Sequence, residues 1–596
     1  MSAPKNCEFQ SKLIIKEFRN IFLKIACLIF GLTLLMPIRV FSQDIRDLEP
    51  EPVPPQVEAP EGELKPPEPG LPGALDERVM VEALRGVIFI NSQDQLQDRP
   101  SVPANGLDAV RVPNLQTPDA RMVVDEHLGK PVSMASLNRL ATALYLYYSE
   151  IDLPFVNITL PEQDITNEVV QILVIETRLG EITIEGARYF SEDIYRSQLR
   201  LRPGEPIRKS MIDEDVNWIN RNPFRQAGIF LAPGGEVGTT NLALRVNEKF
   251  PLRVYAGYSD NGTDLTDKNR LNSGFNWGNA FGLGHQFSYQ LTGSRDFNRL
   301  IAHSGSYVIP LPWRHFLTFC GAYSSSKYDV PAPLSQFGRS GQVSINYQAE
   351  LQKIGAYTHM LSGLFDFKLS DNNLEFGGIP VTDNITHILQ FGVQYNGSLP
   401  DRWGATSFTG RVILSPGDLD SRNKTGYFSI SRAFAEADYT YININLMRSQ
   451  RLPFDFSLFV DGTIQFASGT LLGSEQISFG GANAVRGYDE SSVYGDEGYL
   501  LKIELRAPLM SPAPRLNLKG IQDQLQVYGF LDYGVSKNVD LLPGEDPGVI
   551  LKSLGLGLRY YLARNLSMSL AYGWQQKALE GLNRDARAHV SITLSY

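Results

Sequence analysis

From residue 250 to the C-terminus the sequence alternates between apolar and polar residues, and helical periodicity is absent. In 586–596 the even positions are apolar, whereas the odd ones carry Arg587, His589 and three hydroxyl residues. Because successive side chains of a β-strand point to opposite faces, this pattern predicts strands with one apolar face. The same period of two runs through 501–507, 554–562 and 566–574.

Two kinds of protein carry such strands. A soluble sandwich buries the apolar face in its core, whereas a membrane barrel turns that face to lipid. Here the strands are about ten residues long, continue over 250–596 and carry aromatic residues near their ends, which favours the membrane barrel. The mean hydropathy of -0.17 excludes a bundle of membrane helices, each of which needs about 20 apolar residues in succession. Sixteen strands would leave roughly 22 residues for each strand and its connection, so we predict a transmembrane antiparallel β-barrel of 16 strands over 250–596.

The N-terminus has the three parts of a secretory signal. Basic residues from Lys5 to Lys24 precede an apolar stretch at 25–37, and the small residues Val40 and Ser42 precede Gln43. A permanent helical anchor is the alternative, but the apolar stretch is shorter than the span of about 20 residues that a membrane requires. We therefore predict that residues 1–42 are a signal peptide.

Removal of the signal makes the chain more acidic, because residues 1–42 contain six basic and two acidic residues while the whole chain has a net charge of -10. An acidic chain argues against nucleic acid as a partner, since phosphate binding needs a basic surface. Cys320 would be the only cysteine left, so no internal disulfide is predicted although export would permit one.

Two small α/β modules are predicted between the signal and the barrel, at 77–177 and 178–249. Each follows the order strand, two helices, two strands; in the second, an alternating strand around Ile182 precedes a helix with Ile212, Val216 and Ile219 on one face. A polar stretch at 92–119 obscures the start of the first module. The segment 43–76 is rich in Pro and Glu and is predicted to be an extended linker that acts as a plain spacer.

Enzyme signatures are missing from the sequence. It has no G-x-S-x-G, no H-E-x-x-H and no G-x-x-x-x-G-K-[ST] phosphate loop, and its seven histidines are scattered singly. We therefore predict no catalytic residue, no metal site and no cofactor.

Two other segments are unusual. An arginine, Arg486, stands between Val485 and Gly487-Tyr488 in a long loop, and alternation places Phe530, Asp532 and Gly534 on the lumen face of a nearby strand. Arg486 and Asp532 could pair if the loop folds inward, and such a pair would be partly desolvated and therefore stronger than a surface ion pair. The alternative is an ordinary loop arginine and an ordinary lumen charge.

These segments resemble motifs of the TpsB family, the outer-membrane transporters of two-partner secretion that export haemolysins and filamentous adhesins. Val485-Arg486-Gly487-Tyr488 resembles the V-R-G-[FY] tip of the family's sixth extracellular loop, and Phe530-x-Asp532-x-Gly534 resembles its partner on the barrel wall. The resemblance implies that Arg486 and Asp532 lock the loop to the barrel. Supporting roles are implied for Val485, Gly487, Tyr488, Phe530 and Gly534.

The resemblance extends over about residues 120–596. Segments at 160–165 and 218–240 are similar to the family's two periplasmic POTRA modules, and 253–263 with 278–284 is similar to its first barrel hairpin. The second module is therefore expected to contact substrate and dock on the barrel, and Tyr596 to end the last strand. The docking and contact residues predicted are Ile182, Arg221, Asn222, Pro223, Phe224 and Arg225. The chain departs from the family at Thr177, where Gly is frequent, in its longer stretch 92–119, and in its Pro-rich segment 49–73, which leaves little room for a plug helix.

The function predicted is export of a protein through the bacterial outer membrane. The modules would capture an unfolded TpsA-like, β-helical exoprotein in the periplasm, and the barrel would pass it to the surface without nucleotide hydrolysis. The expected partners are this exoprotein, outer-membrane lipid and the barrel assembly machinery, and the chain is expected to be a monomer. Three alternatives stay open: a factor that inserts other barrels, a passive porin or receptor, and a surface adhesin or barrel enzyme.

Overall fold

The computed structural model describes residues 49–53, 76–331, 334–376, 379–516, 522–543, 547–579 and 585–596. The predicted signal peptide, most of the predicted linker and any plug helix before the first module fall outside the described residues. In the described part of the chain, no helix is long and apolar enough to cross a membrane.

The first module is a four-stranded sheet with two helices packed on one face. The longer helix begins at Ser133, whose hydroxyl accepts the Ser136 N–H while the Ser136 hydroxyl accepts the Ser133 N–H, so two free backbone donors are satisfied. Leu140 and Leu144 of this helix are fully buried against the sheet. The elements are β1 Gly86–Ile90, β2 Leu107–Asp108, α1 Pro118–Asp125, α2 Met134–Glu150, β3 Val156–Thr159 and β4 Val169–Glu176, with strand order β2-β1-β4-β3.

The polar stretch 92–119 contributes β2 to this sheet. Val87 and Ile88 of β1 pair in parallel with Leu107 and Asp108. The stretch therefore adds an edge strand. The sequence does not predict this strand, because two residues are too few to show a period.

The second module follows the predicted order of elements. Its central strand runs parallel to one neighbour and antiparallel to the other, and the fully buried Ile212 and Ile219 pack on Leu242 and Leu244. The elements are β5 Arg178–Glu185, α3 Glu192–Gln198, α4 Lys209–Ile219, β6 Arg225–Pro233 and β7 Thr239–Glu248, in the order β5-β7-β6. Strand β7 is therefore central, and β5 and β6 are the two edge strands of the sheet.

The rest of the described chain forms a closed antiparallel barrel of 16 strands, as predicted. The strands are β8 Leu252–Ser259, β9 Arg270–Ala280, β10 His285–Gly293, β11 Leu300–Pro310, β12 His315–Tyr328, β13 Leu334–Glu350, β14 Thr358–Phe376, β15 Ile379–Asp401, β16 Gly404–Pro416, β17 Asp438–Arg451, β18 Ser457–Ala467, β21 Glu497–Arg506, β22 Asp523–Lys537, β23 Ile550–Leu562, β24 Leu566–Gln575 and β25 Ala586–Ser595. Between β18 and β21, a small hairpin is formed by β19 Ile477–Phe479 and β20 Val493–Gly495.

The barrel wall has an apolar outer face and a polar inner face. On β22, Leu531 is 50% exposed in the isolated protein, whereas the neighbouring Asp532 is fully buried. On β25, Leu594 is 58% exposed and His589 is 3% exposed. The alternation read from the sequence thus corresponds to lipid-facing and lumen-facing side chains.

The last strand closes the barrel against the first over a short length. Five residues, Ser591–Ser595, pair with Tyr255–Ser259, whereas β25 pairs with β24 over nine residues. Tyr596 extends this closing seam, because its N–H and carbonyl bond to the carbonyl and N–H of Val254 at 2.9 and 3.0 Å. Its ring is 93% exposed.

The connections between strands differ at the two ends of the barrel. At the end near the modules they are mostly short turns, such as 281–284 and 311–314. At the far end, three connections are longer: the fifth loop (417–437), which holds α5 Thr425–Ser431, the sixth loop (468–496) and the seventh loop (538–549).

Candidate functional site

The tip of the sixth loop lies inside the barrel. Val485 and Tyr488 are fully buried, although they belong to a connection between strands. Gly480, Gly481 and Gly487 have φ values of 90°, 107° and 93°, a left-handed backbone that glycine adopts without strain. These glycines permit the tight turns at the tip of the loop.

Arg486 at this tip is bound to Asp532 on the wall. Its Nε and Nη2 each donate to a different Asp532 oxygen at 2.7 Å, and its backbone N–H donates to the same carboxylate at 3.0 Å. The guanidinium carbon lies 3.7 Å from the centre of the Phe530 ring. A bidentate, charge-assisted pair stacked on an aromatic ring fixes the arginine in both position and orientation.

A second carboxylate, Glu504 on β21, completes the arginine's hydrogen bonding. Arg486 Nη1 donates to Glu504 Oε1 at 2.6 Å, and Arg559 binds both oxygens of Glu504 at 2.9 and 3.1 Å. Neither residue is predicted from the sequence as a member of the site. The sequence shows Glu504 only as one of three alternating charged residues, with Lys502 and Arg506. In the absence of a structure these look like ordinary polar residues of the lumen.

The loop backbone is also fitted to the wall. A Cβ on Gly573 of β24 would lie 2.7 Å from the Gly487 nitrogen, so glycine is needed for the close approach. The Gly487 N–H donates to His589 Nε2 at 3.1 Å, and the Tyr488 hydroxyl donates to the Lys552 carbonyl at 2.9 Å. Gly534 makes room for Val485, whose Cγ2 would lie 2.9 Å from an added Cβ.

The described part of the predicted linker does not act as a plain spacer. Pro50–Val53 lie in the lumen, where the Glu51 carboxylate accepts hydrogen bonds from Thr593 of β25 at 2.9 Å and Asn272 of β9 at 3.4 Å. The Glu51 N–H donates to the Tyr255 hydroxyl at 3.1 Å. The spacer prediction therefore does not hold for these residues, because polar lumen side chains bind their backbone and carboxylate.

The segment 221–224 lies at the junction between the second module and the barrel. The Asn222 amide donates to the Gly278 carbonyl at 2.6 Å, and Arg221 forms an ion pair with Glu350. The Phe224 ring packs on Gly278, where an added Cβ would lie 2.0 Å from Cδ2. Pro223 lines the adjoining cavity.

Of the other two residues predicted with this segment, Arg225 borders the same cavity but bonds within its own module, and Ile182 lies on another strand. Arg225 is 3% exposed and donates to the Ile219 carbonyl at 2.9 Å and to Gln198 at 2.8 Å, so it stabilises the module from inside. Desolvation by this burial lowers the pKa of its guanidinium. Ile182 lies on β5, at the edge of the sheet opposite β6.

Other residues at the junction were missed in the sequence. Asp215 of α4 is fully buried and pairs with Arg200 of its own module and with Arg314 of a barrel turn. Trp218 of the same helix stacks on Phe316 of β12, with ring centres 4.7 Å apart. Asp215 and Trp218 lie one helical turn apart, but this spacing did not indicate a contact with the barrel. The apolar residues of the same helix pack in the module's own core, so the helix looked like an ordinary core helix.

Chemically, the lumen site is an anchor. Its guanidinium and carboxylate groups are used in hydrogen bonds to one another, which holds a loop against a wall and leaves no free nucleophile or base among them. Within the described ranges, no three His, Cys, Asp or Glu residues are grouped so that they could bind a metal.

Comparison with known families gives three consecutive matches. Residues 238–560 match a family described as "Haemolysin secretion/activation protein ShlB/FhaC/HecB". Residues 103–177 match a "POTRA domain, ShlB-type", and residues 177–249 match the POTRA family described as "Surface antigen variable number repeat".

Individual proteins match over most of the chain. The heme/hemopexin transporter protein HuxB of Haemophilus influenzae (strain 86-028NP) is 24% identical over an alignment of 476 positions that covers 76% of this chain and 80% of that protein. The outer membrane transporter CdiB of Dickeya dadantii is 23% identical, covering 58% of this chain and 62% of its own. The solved structure of CdiB from Escherichia coli superposes with a TM-score of 0.69 at 16% identity, covering 91% of this chain and 94% of that one, which shows a shared fold.

Proposed function

Because the chain belongs to the haemolysin secretion/activation protein family ShlB/FhaC/HecB, we propose that it exports one large exoprotein of β-helical type through its own lumen. It is an outer-membrane transporter whose POTRA modules lie in the periplasm. Within this function, we assign the anchoring of the sixth loop to Arg486 and Asp532. Val485, Gly487 and Tyr488 shape the loop tip, and Phe530 and Gly534 shape the wall that receives it.

One observation supports this assignment most directly: a loop from the far end reaches into the lumen and is tied there by a buried arginine. Arg486 and Asp532 are 5% and 0% exposed at their side chains, so their ion pair is shielded from water. A loop held in this way narrows the lumen at rest. Export then requires either displacement of the loop or passage beside it.

Entry of the exoprotein is assigned to the junction of the second module and the barrel. A cavity of about 630 Å³ lies there, lined by Arg221 and Phe224 of the module and by Asn276 and Ser306 of the barrel. Asn276 and Ser306 are lumen-facing residues of β9 and β11, so the cavity leads to the inner wall. Glu51 forms part of its boundary and must yield to an entering chain.

Capture is assigned to the edge strand β5. In the described chain no other strand pairs with its outer side beyond a bridge between Arg178 and Pro206, and the partly buried Ile182 and Ile184 alternate along the remainder. An extended segment of the exoprotein can add to such an edge, with backbone hydrogen bonds giving affinity and alternate side chains giving selectivity. The free energy for export then comes from folding of the exoprotein outside, without nucleotide hydrolysis.

Deletion of the chain in its host tests this function. We expect one large β-helical exoprotein to disappear from the cell surface and to be degraded in the periplasm, while other outer-membrane barrels keep their abundance in quantitative proteomics. General loss of barrels would instead establish an assembly factor. Normal surface levels of every large exoprotein would establish a porin or receptor.

A variant of the capture strand tests the mechanism without removing the protein. Ile182→Pro removes a backbone donor and disrupts strand addition, so we expect export to fall while the barrel remains folded. Val237→Pro, in the exposed turn before β7, serves as the matched control because Val237 is 93% exposed. Equal export by the two variants would contradict capture on β5.

A further inference from the structure

The fifth loop also folds into the mouth of the barrel. Phe428 of α5 is fully buried and packs on Ile388, Ile413 and Tyr439, which are lumen-facing residues of three neighbouring strands. The Asn384 amide of β15 donates to the Tyr427 carbonyl at 2.8 Å. The buried Phe428 ring and the hydrogen bond to the Tyr427 carbonyl therefore fix this loop at a specific position inside the mouth.

An arginine at the end of α5 joins this loop to the sixth. Arg432 binds both oxygens of Asp496, which is fully buried and immediately precedes β21. The arginine also reaches the Leu471 carbonyl, at the other end of the sixth loop. The pair therefore holds the base of the sixth loop, whereas Arg486 holds its tip.

Asp496 collects donors from two further places. The Leu471 N–H and the Gln476 amide donate to it at 2.9 and 3.1 Å, and the Val539 N–H of the seventh loop donates at 3.0 Å. Arg432 in turn reaches Asn538 of the seventh loop at 3.3 Å. One buried carboxylate thus connects the fifth, sixth and seventh loops at the mouth.

We propose that Arg432 is a positioning residue for export, because its pair with Asp496 is a latch that keeps the three loops closed over the mouth. The inference deepens the proposed function by adding a second control point, separate from the lumen anchor. Loss of Arg432 would leave Asp496 buried beside neutral donors alone, which favours separation of the loops and entry of water. The exoprotein leaves when the latch opens.

The latch can be tested without any exoprotein, by ion conductance of the full purified chain in planar bilayers. Arg432→Met keeps the length of the side chain and removes its charge, and Asp496→Asn removes the opposite charge. We expect each variant to raise the ratio of open to closed time roughly tenfold, the effect of losing one charge-assisted buried contact. Lys424→Met, an exposed basic residue of the same loop, should conduct like the wild type.

Cross-linking provides a second measurement that does not depend on the strength of the ion pair. In a Cys320→Ser background, Arg432→Cys with Asp496→Cys removes the latch and supplies two thiols for a short, reducible bis-maleimide. We expect high conductance before cross-linking, low conductance and blocked export after it, and recovery of both upon reduction. The heat-dependent mobility of the barrel in gel electrophoresis confirms that each variant is folded.

Two results would overturn the latch: folded Arg432→Met and Asp496→Asn variants that conduct like the wild type, or a rise of the same size in Lys424→Met. Failure of the proposed function is recognised separately. In that case the host exports its exoproteins normally without the chain, while conductance still reports whether the mouth opens.

Discussion

At Arg486 the geometry requires a guanidinium and not simply a positive charge. Three of its nitrogens bind two carboxylates, on Asp532 and Glu504, and its guanidinium carbon lies 3.7 Å from the centre of the Phe530 ring. A lysine has a single charged nitrogen and cannot make a bidentate pair or stack on a ring in this way. Removal of the charge altogether leaves Asp532 buried without its cation, which costs about 3–5 kcal/mol in comparable pairs.

The first prediction follows from this difference. Arg486→Lys should reduce export clearly, and Arg486→Ala should reduce it further, while the barrel of each variant remains folded. Export is measured as exoprotein in the medium, and folding as heat-dependent mobility. Arg564→Lys, in an exposed turn, is the matched control. Wild-type export by the lysine variant would mean that charge alone holds the loop.

The second prediction concerns space and not charge. In Gly573→Ala the new methyl group would lie 2.7–2.8 Å from the backbone of Arg486 and Gly487, so the loop tip must move. We expect the loop to become accessible to protease added outside the cell. Gly529→Ala on β22 is the control, because its Cβ would meet its nearest neighbour at 3.7 Å, an ordinary contact. Equal protection of the two variants would contradict the tight fit.

At the scale of elements, the closing seam depends on more than its five backbone pairs. Asp489 of the sixth loop binds Lys268, just before β9, at 2.9 Å and also pairs with Arg587 of β25. The loop therefore connects strands on both sides of the seam. In the same manner, Glu51 connects β25 with β9 nearer the module end.

The third prediction is that Asp489→Asn weakens the seam. The substitution removes the carboxylate that lies between Lys268 and Arg587 and leaves them Asp264 and Asp260 as their acidic partners, so the attraction that joins the two sides of the seam is lost. The temperature at which the barrel changes mobility in gel electrophoresis should fall by several degrees. Asp455→Asn, in an exposed turn, should leave it unchanged. An unchanged transition in both variants would show that backbone pairing alone closes the barrel.

The alternation of apolar and polar residues predicted those strands whose two faces differ in polarity. The segments 554–562, 566–574 and 586–596 coincide with β23, β24 and β25 to within a few residues, since lipid and lumen impose opposite polarity on successive side chains. The inward course of the fifth loop was not predictable. Phe428 is held by Ile388, which is distant in sequence, and by Tyr439 at the start of the next strand, and no local pattern marks such contacts.

The site was partly predictable for the same reason. Arg486 and Asp532 stand out because a loop arginine next to Gly-Tyr and a carboxylate in an alternating strand are uncommon choices. Glu504, Arg559 and His589 look like ordinary lumen residues, and only the closed barrel brings them to the loop. Sequence patterns thus report what a residue faces, whereas the partners it meets depend on strand order and register.

At the scale of the whole molecule, the second module is fixed to the barrel through groups that also stabilise the module. Asp215 forms ion pairs with Arg200 of its own module and with Arg314 of a barrel turn. Trp218 adds an aromatic contact with Phe316, and Asn222 adds a hydrogen bond to Gly278. If a segment is captured on β5 as proposed, these contacts would transmit force from the module to the turn that precedes β12.

The fourth prediction separates this coupling from the stability of the module. Arg314→Ala removes the barrel's share of the Asp215 contact, and Arg200 still neutralises the carboxylate, so the module should stay folded. We expect faster hydrogen exchange at 311–316 and 278–284 in the full chain, together with reduced export and an intact lumen anchor. The anchor is followed by the protease resistance of the sixth loop.

Arg196→Ala provides the control for this measurement. Arg196 pairs with Glu192 on the surface of α3 and donates to the Ile182 carbonyl at 3.3 Å; neither contact reaches the barrel, so its loss should leave exchange at the barrel turns unchanged. If Arg314→Ala exchanges and exports like Arg196→Ala, the module is held by Trp218 and Asn222 without the ion pair. If both variants lose export, the surface of α3 takes part in capture, and the path from exoprotein to barrel begins there.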